Sequence, residues 1–304
     1  MLPKDLGGII LSPSCANCCV FCGGHKKISD EELKRQEGLV QKNLADLRSR
    51  GIEKISISGS DPIEYGEIAY LVKYIKETGF TEVRLATHGR RLADEAFLGE
   101  LVEAGLDSLR IPIYGPTAAI HDSVTQAKGS FNETIKGIKG VMEKSKNVHI
   151  QISCLIVNQN KDSLAGLIDF VRGLGITDFY FSIPCIMEED DLSHYVPFKE
   201  LGQYVKRAYA HSLKAGVNLY FLEIPFCVFG ETDRERIRNK SKPPDLGKYC
   251  QPPKPSRTAT KDLPAYRVKT KPPMCDKCKC VHFCDGFFAN DINRFGLGGI
   301  KPIT

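Results

Sequence analysis

Four thiols within eight residues, Cys15-Ala-Asn-Cys18-Cys19-Val-Phe21-Cys22, constrain this chain more than any other stretch. They sit close to the N-terminus, in a loop entered from the apolar run Gly8-Ile9-Ile10-Leu11. Thiolates select zinc, copper(I) or iron–sulfur clusters, and ligand spacing separates these choices. Cys15, Cys19 and Cys22 stand as C-x3-C-x2-C, with Phe21 directly before the last cysteine. Three such ligands leave one iron of a four-iron cluster without a protein ligand, and a small molecule can fill that vacancy. Zinc also accepts short spacings, and would take Cys18 or His25 as a fourth ligand.

The rest of the chain has to hold that loop. A chain of 304 residues can form one large domain, or one domain with a small appendix. Its 42% hydrophobic content is enough for a sizeable core. No apolar run reaches the length of a membrane span, and the N-terminus lacks a basic stretch followed by a signal core. Twelve cysteines without a secretion signal argue for metal binding rather than a disulfide framework, and for the reducing cytoplasm. The net charge of +5 is uneven: residues 234–279 carry 14 Lys or Arg against 4 Asp or Glu. That stretch suits an acidic substrate, a nucleic acid or an acidic electron donor, or simply a solvated extension. The aromatic interleaving of a single-strand binder is weak there, so nucleic acid is not an expected partner.

Six strand–helix units can be read before residue 216. Strands are expected at 8–11, 54–58, 82–87, 108–113, 148–157 and 178–183. Ser29-x-x-Glu32 reads as a capping box opening the first helix, and Ser130-x-x-Glu133 as a second one. Strands alternating with helices imply a parallel sheet with right-handed crossovers. The expected fold class is α/β, a partial (β/α)6 TIM-like barrel over residues 1–216. Residues 217–304 are expected as a small irregular C-terminal cysteine-rich extension, with 225–273 irregular throughout after one more strand at 217–222. Ligands of such sheets sit at the C-terminal ends of the strands, where the cysteine loop also falls.

The cysteine loop closely resembles that of the radical SAM superfamily. The strand at 54–58 runs into Gly59-Ser60-Asp61-Pro62, where members typically read Gly-Gly-Glu-Pro. The second and third positions depart from the family, although Asp61 keeps a carboxylate. Asp61 also reads as an ordinary acid near a helix N-terminus. Thr87-His88-Gly89 resembles the family's Thr-Asn-Gly, and Asn158 matches a frequent cofactor-side Asn, while a turn-forming Asn fits equally well. The resemblance implies that Cys15, Cys19 and Cys22 hold a [4Fe-4S] cluster whose open iron chelates S-adenosylmethionine. It further implies that Gly59, Ser60, Asp61, Pro62, Thr87 and Asn158 line the cofactor site.

A second constellation, Cys275-x2-Cys278-x-Cys280-x3-Cys284-Asp-Gly286, resembles part of the SPASM and twitch extensions, which carry auxiliary clusters. Phe288 occupies the position of the last SPASM cysteine, so one second [4Fe-4S] cluster is expected rather than two. Its fourth ligand, if there is one, would be Cys227 or Cys250, with Cys227 favoured because it follows a strand. Four-cysteine sites of such spacing also occur in zinc ribbons. Cys154 and Cys185 read as small buried hydrophobes.

The resemblance implies reductive cleavage of S-adenosylmethionine to a 5′-deoxyadenosyl radical, which removes hydrogen from an unactivated carbon. A peptide or protein side chain is the first substrate class, because auxiliary clusters recur in members that modify peptides. No leader-binding domain precedes the barrel in this sequence, which favours the alternative of a small molecule in cofactor or natural-product biosynthesis. An electron donor such as a flavodoxin or ferredoxin is the implied partner. The competing class is a non-enzymatic zinc or iron–sulfur protein that binds nucleic acid through its basic stretch.

Overall fold

The computed structural model describes residues 6–11, 14–22, 29–187, 191–230, 254–255, 268–282 and 284–304. They fall into two compact units. The first comprises 1–113, 117–152 and 245–261, and the second comprises 114–116, 153–244 and 262–304.

In the first unit, strands β1 (Leu6–Ile10), β2 (Lys54–Ser58), β3 (Glu82–Ala86), β4 (Ser108–Pro112) and the first part of β5 (His149–Leu155) lie side by side in chain order. β1 to β4 pair in parallel. Helices α1 (Asp30–Ser49), α2 (Ile68–Glu77), α3 (Glu95–Glu103), α4 (Ala118–Thr125) and α5 (Ser130–Lys144) fall between the strands. The strand period of two sorts the side chains onto two faces. Gly7 is level with Ile55, and a Cβ on Gly7 would press on Leu47 of α1, so that row faces the helices. Ile55, Ile57, Val83, Leu85, Leu109 and Ile111 fill it, all essentially inaccessible. Burying each contributes about 1.5–3 kcal/mol. The opposite row is polar yet buried, with Ser56, Arg84, Ser108 and Gln151, and Lys54 pairs with Glu82 across it at 3.6 Å.

Ser29 caps α1, its hydroxyl accepting the Glu32 N–H at 3.1 Å. The second expected capping box does not form. Gly129, in the left-handed region, holds the cap position of α5 without a side-chain bond, and Ser130 is buried. Asp122 does the capping instead, accepting the N–H groups of Gly129 (2.7 Å) and Phe131 (2.9 Å) and the Ser130 hydroxyl (2.8 Å). Phe131 is half-buried, in a T-shaped contact with His121. Met142 of α5 is exposed.

The second unit continues β5, with β6 (Asp178–Ser182) beside it and β7 (Asn218–Phe221) beyond; β6 and β7 are parallel. Its helices are α6 (Leu164–Gly173) and α7 (Phe198–Ala215). The stretch read as irregular from 225 to 273 contributes two short strands: β8 (Lys254–Pro255), which lies in the first unit beside β1, and β9 (Lys269–Thr270). Two residues are too few for a periodicity signal. β9 pairs antiparallel with β10 (Phe287–Phe288), and α8 (Ala289–Phe295) follows. The α/β class and the open, partial barrel agree with the sequence reading.

Asp291 of α8 is buried, and Asn290 beside it donates to the Ile186 carbonyl at 2.9 Å. Burial raises the Asp291 carboxyl to about 7, against the Ile186 N–H and Lys269, which both pull it down. The folded chain therefore keeps a proton that the unfolded chain releases near the ordinary value of 3.8. This contribution to stability is fully present below pH 3.8 and is lost as pH rises toward 7. Urea unfolding of Asp291→Asn across that window should show a flatter pH slope than the unsubstituted chain. An unchanged slope would contradict this assignment.

Candidate active site

The cysteine loop leaves β1 at its C-terminal end, where the Leu11 N–H donates to the Ser58 carbonyl at 2.8 Å. Two backbone bonds tie the loop to the end of α4, from the Cys18 N–H to the Thr125 carbonyl (2.9 Å) and from the Val20 N–H to the Val124 carbonyl (3.0 Å). Arg90 holds it from another side. Its Nη1 donates to the Ala16 carbonyl (2.8 Å) and to Asn17 Oδ1 (2.9 Å), while its Nε meets Glu133 of α5 at 2.5 Å. Cys15 and Cys19 are half-buried, and Cys18 and Cys22 are exposed. Burial, then the neighbouring Cys22, Cys15 and Cys18, pushes the Cys19 thiol far above the ordinary range. Sulfurs crowded in this way resist ionisation unless a cation joins them, and a bound metal deprotonates them outright.

The turn after β2 puts Asp61 in the cap position of a short 3-10 turn opened by Pro62, yet its side chain makes no capping bond. Asp61 therefore stands at a helix start, as the plain reading of this turn has it, without capping it through its side chain. Its carboxylate is 0% exposed, and neither oxygen accepts an aligned hydrogen bond. His88 Nε2, 2.6 Å from Oδ2, is its charged partner in the protein, and Oδ1 is left for a cationic or hydrogen-bond-donating ligand. Asp61 is among the residues expected to line the S-adenosylmethionine site, and a buried carboxylate suits an ammonium group, so the donor set fits both cluster and cofactor. Gly59 and Ser60 complete the turn, the first exposed and the second half-buried.

His88, 7% exposed, faces Asp61 with Nε2 at 2.6 Å from Oδ2, and Glu64 lies 3.9 Å from the same nitrogen. Burial opposes charging of this ring, but Asp61 and a hydrogen bond with Cys15 outweigh it and lift the imidazole to about 9. The Arg90 amide works the other way, since its N–H points at Nδ1 (3.2 Å) and needs a free lone pair there. The turn itself is rigid. Thr87 Oγ1 accepts the Gly89 N–H at 3.0 Å, and Gly89 takes φ 78°, open to glycine and costly for other residues. α5 closes on this turn: Thr134 donates to the His88 carbonyl at 2.9 Å, and a Cβ on Gly137 would stand 2.5 Å from the Gly89 carbonyl.

The structure thus brings Cys15, Asp61 and His88 together in the first unit. Sequence reasoning noted His88 only within the Thr87-His88-Gly89 stretch and missed Glu64 and Arg90 altogether. A signal for Glu64 was present, since an acid three residues beyond Asp61 shares its short turn.

In the second unit, Asn158 is committed to its own loop. Its Nδ2 donates to the Ser193 and Tyr195 carbonyls at 2.7 and 3.0 Å, and its Oδ1 accepts from Lys161 at 2.9 Å. Cys154 is fully buried and its thiol is pushed up by burial, while Cys185 is half-buried. Cys227, Cys275, Cys278 and Cys284 line one pocket, with the buried Cys280. Burial and then Cys284, Cys278 and Cys275 push the Cys227 thiol up to about 12. Backbone N–H groups aim at two of these sulfurs, Cys280 at Cys278 (3.4 Å) and Gly286 at Cys284 (3.5 Å). Cys250 lies outside the described residues, as does His25.

A cysteine loop at the strand ends of an open parallel sheet, with a buried carboxylate–histidine pair on the next two strand ends, fits one class: an iron–sulfur enzyme. The description "Radical SAM superfamily" matches residues 9–171, and the chain belongs to that superfamily. The GTP 3′,8-cyclase of Limosilactobacillus fermentum is 29% identical over 175 residues, 55% of this chain and 51% of that protein. A protein of Saccharolobus solfataricus named "Probable GTP 3′,8-cyclase" is 24% identical over 57% of this chain and 54% of its own length. The chain spans about half the length of these curated relatives. Among solved structures, Streptococcus suis SuiB bound to precursor peptide SuiA superposes with a TM-score of 0.63 at 16% identity, over 94% of this chain and 72% of that one. The radical SAM enzyme HemN of Escherichia coli gives 0.52 at 14% identity, over 70% and 53%. Among the described residues, no helix is long and apolar enough to cross a membrane.

Proposed function

We propose that this radical SAM enzyme uses Cys15, Cys19 and Cys22 to hold a [4Fe-4S] cluster that cleaves S-adenosylmethionine, and that it abstracts hydrogen from a peptide or protein side chain. The observation that carries the reading is the buried Asp61 carboxylate, paired with His88, at the turn after β2, together with the crowded thiols after β1. When bound, the cluster and cofactor together supply a 5′-deoxyadenosyl radical. The chain's own residues do the rest. Asp61 takes the ammonium, Gly59, Ser60 and Pro62 shape the turn around it, and Thr87 contributes from the next strand end, while Asn158, engaged within its own loop, is left out of that set.

The gathering of Cys275, Cys278 and Cys284 with Cys227 supports a second [4Fe-4S] cluster, with Cys227 rather than Cys250 as its fourth ligand. We assign residues 1–216 to the barrel core and 217–304 to a SPASM/twitch-like extension serving that cluster. A flavodoxin or ferredoxin in a reducing cytoplasm is the fitting electron donor.

The second reading, a small-molecule substrate, draws on the relatives named GTP 3′,8-cyclase. They match little more than half of this chain. Formation of 5′-deoxyadenosine by the reconstituted enzyme decides between the two. A short peptide encoded beside this gene should accelerate it and gain a modification, whereas GTP should leave both rate and nucleotide unchanged. Turnover of GTP would replace the peptide reading with the small-molecule one.

A further inference from the structure

Asp291 lies in the first turn of α8, 2% exposed, and its Oδ1 accepts no hydrogen bond. The carboxyl borders a pocket of the second unit whose walls are mainly apolar, formed by Ile156, Ile183, Ile186, Val196 and Phe198, all buried. Its empty volume of about 250 Å³, counting the solvent at its mouth, has room for one side chain. Ile156 directly follows β5 and Ile183 directly follows β6, so the pocket lies at the C-terminal ends of these strands. Parallel sheets bind their ligands at that end. The walls are well fixed: Asn290 donates to the Ile186 carbonyl at 2.9 Å, and Phe198 meets Phe287 edge-on, with 5.1 Å between ring centres. Lys269 of β9 acts on the Asp291 charge, but it is engaged by Glu223 and lies over the Phe288 ring, 5.0 Å from its centre. Arg294, one turn along α8, reaches toward the Met187 carbonyl, with Nη1 at 3.4 Å.

We propose that this pocket is a binding subsite for an alkylammonium group, the end of a lysine-type side chain, with Asp291 holding the charge and the isoleucines bedding the methylenes. One acid among apolar walls selects by charge and by shape together. An acceptor buried without a donor is costly, and a guest that brings N–H groups and a positive charge on an aliphatic stem offsets that cost. A carboxylate or phosphate guest meets repulsion instead. Burial keeps the empty carboxyl from ionising, and an arriving ammonium reverses that preference. The pocket uses none of the cluster ligands. Placing its guest on the substrate rests on the peptide reading above, in which the guest is a lysine of that peptide.

The test is a calorimetric titration of the anaerobically reconstituted full chain with two probes, Nα-acetyl-lysine methylamide and its uncharged counterpart Nα-acetyl-norleucine methylamide. The lysine probe should bind about tenfold more tightly or better, the worth of one hydrogen bond to a charged group. Asp291→Asn keeps the size of the side chain and removes its charge, and should erase that preference. Equal affinity for the two probes, no binding of the lysine probe, or a preference that survives Asp291→Asn would overturn the proposal. Should Asp291→Asn fail to fold, infrared difference spectra of the unsubstituted chain decide, taken below the carboxyl's value of about 7. A protonated-carboxyl band that disappears with the lysine probe and stays with the norleucine probe supports the subsite, and a band that neither probe changes overturns it. Neither measurement needs 5′-deoxyadenosine formation or peptide turnover. A failed titration therefore strikes the subsite and leaves the cluster and peptide readings standing, whereas an unmodified peptide beside a preserved lysine preference strikes the peptide reading alone.

Discussion

Cys19→Ala should abolish reductive cleavage of S-adenosylmethionine, while Cys18→Ala should retain most of it. The two cysteines are adjacent, and Cys18 offers a rival frame with Cys15 and Cys22, so the pair separates two ligand sets in one experiment. Cys18 is exposed, and its amide is spent on the Thr125 carbonyl. Cys19 is more enclosed, and its thiol is pushed up by burial and by all three neighbouring cysteines, as befits a sulfur at the centre of the group. Losing one of three ligands removes the cluster or its electron path, so the effect on 5′-deoxyadenosine formation is all or nothing. Retained activity in Cys19→Ala together with loss in Cys18→Ala would overturn the ligand set.

The triple variant Cys275→Ala, Cys278→Ala, Cys284→Ala should lose about half the iron of the reconstituted chain, because two four-iron clusters fall to one. The barrel cluster has its own ligands, so cleavage of S-adenosylmethionine should survive. Product formation on the true substrate should fail, since electron return or substrate anchoring depends on the second site. Metal binding can itself order a small cysteine-rich segment, so circular dichroism and retained cofactor binding serve as controls. Full iron with normal product formation would mean that these cysteines ligate no cluster.

Much of this was legible because the signals were local. β2, β3 and β4 alternate cleanly between apolar and polar positions, and Ser29-x-x-Glu32 carries its cap within four residues. The contact of Asp61 with His88 was not legible. It depends on β2 and β3 pairing in parallel with Ile57 level with Leu85, which carries the two following turns to the same end of the sheet. Ser130 misled for a related reason. Asp122, seven or more residues upstream, outcompetes it for the orphan N–H groups, and only the folded loop brings that carboxylate near. The approach of Cys227 to the tail cysteines spans nearly fifty residues of chain, much of it outside the described residues, and spacing alone could only nominate it.

The central claim is that this chain cleaves S-adenosylmethionine at an iron–sulfur cluster. The direct measurement is to reconstitute the full chain anaerobically, count iron, sulfide and zinc, and follow 5′-deoxyadenosine after adding S-adenosylmethionine and dithionite. About eight irons per chain, matching sulfide, and 5′-deoxyadenosine that disappears when S-adenosylmethionine or reductant is omitted are the predicted results. Stoichiometric zinc without iron or sulfide, and no 5′-deoxyadenosine, would contradict it.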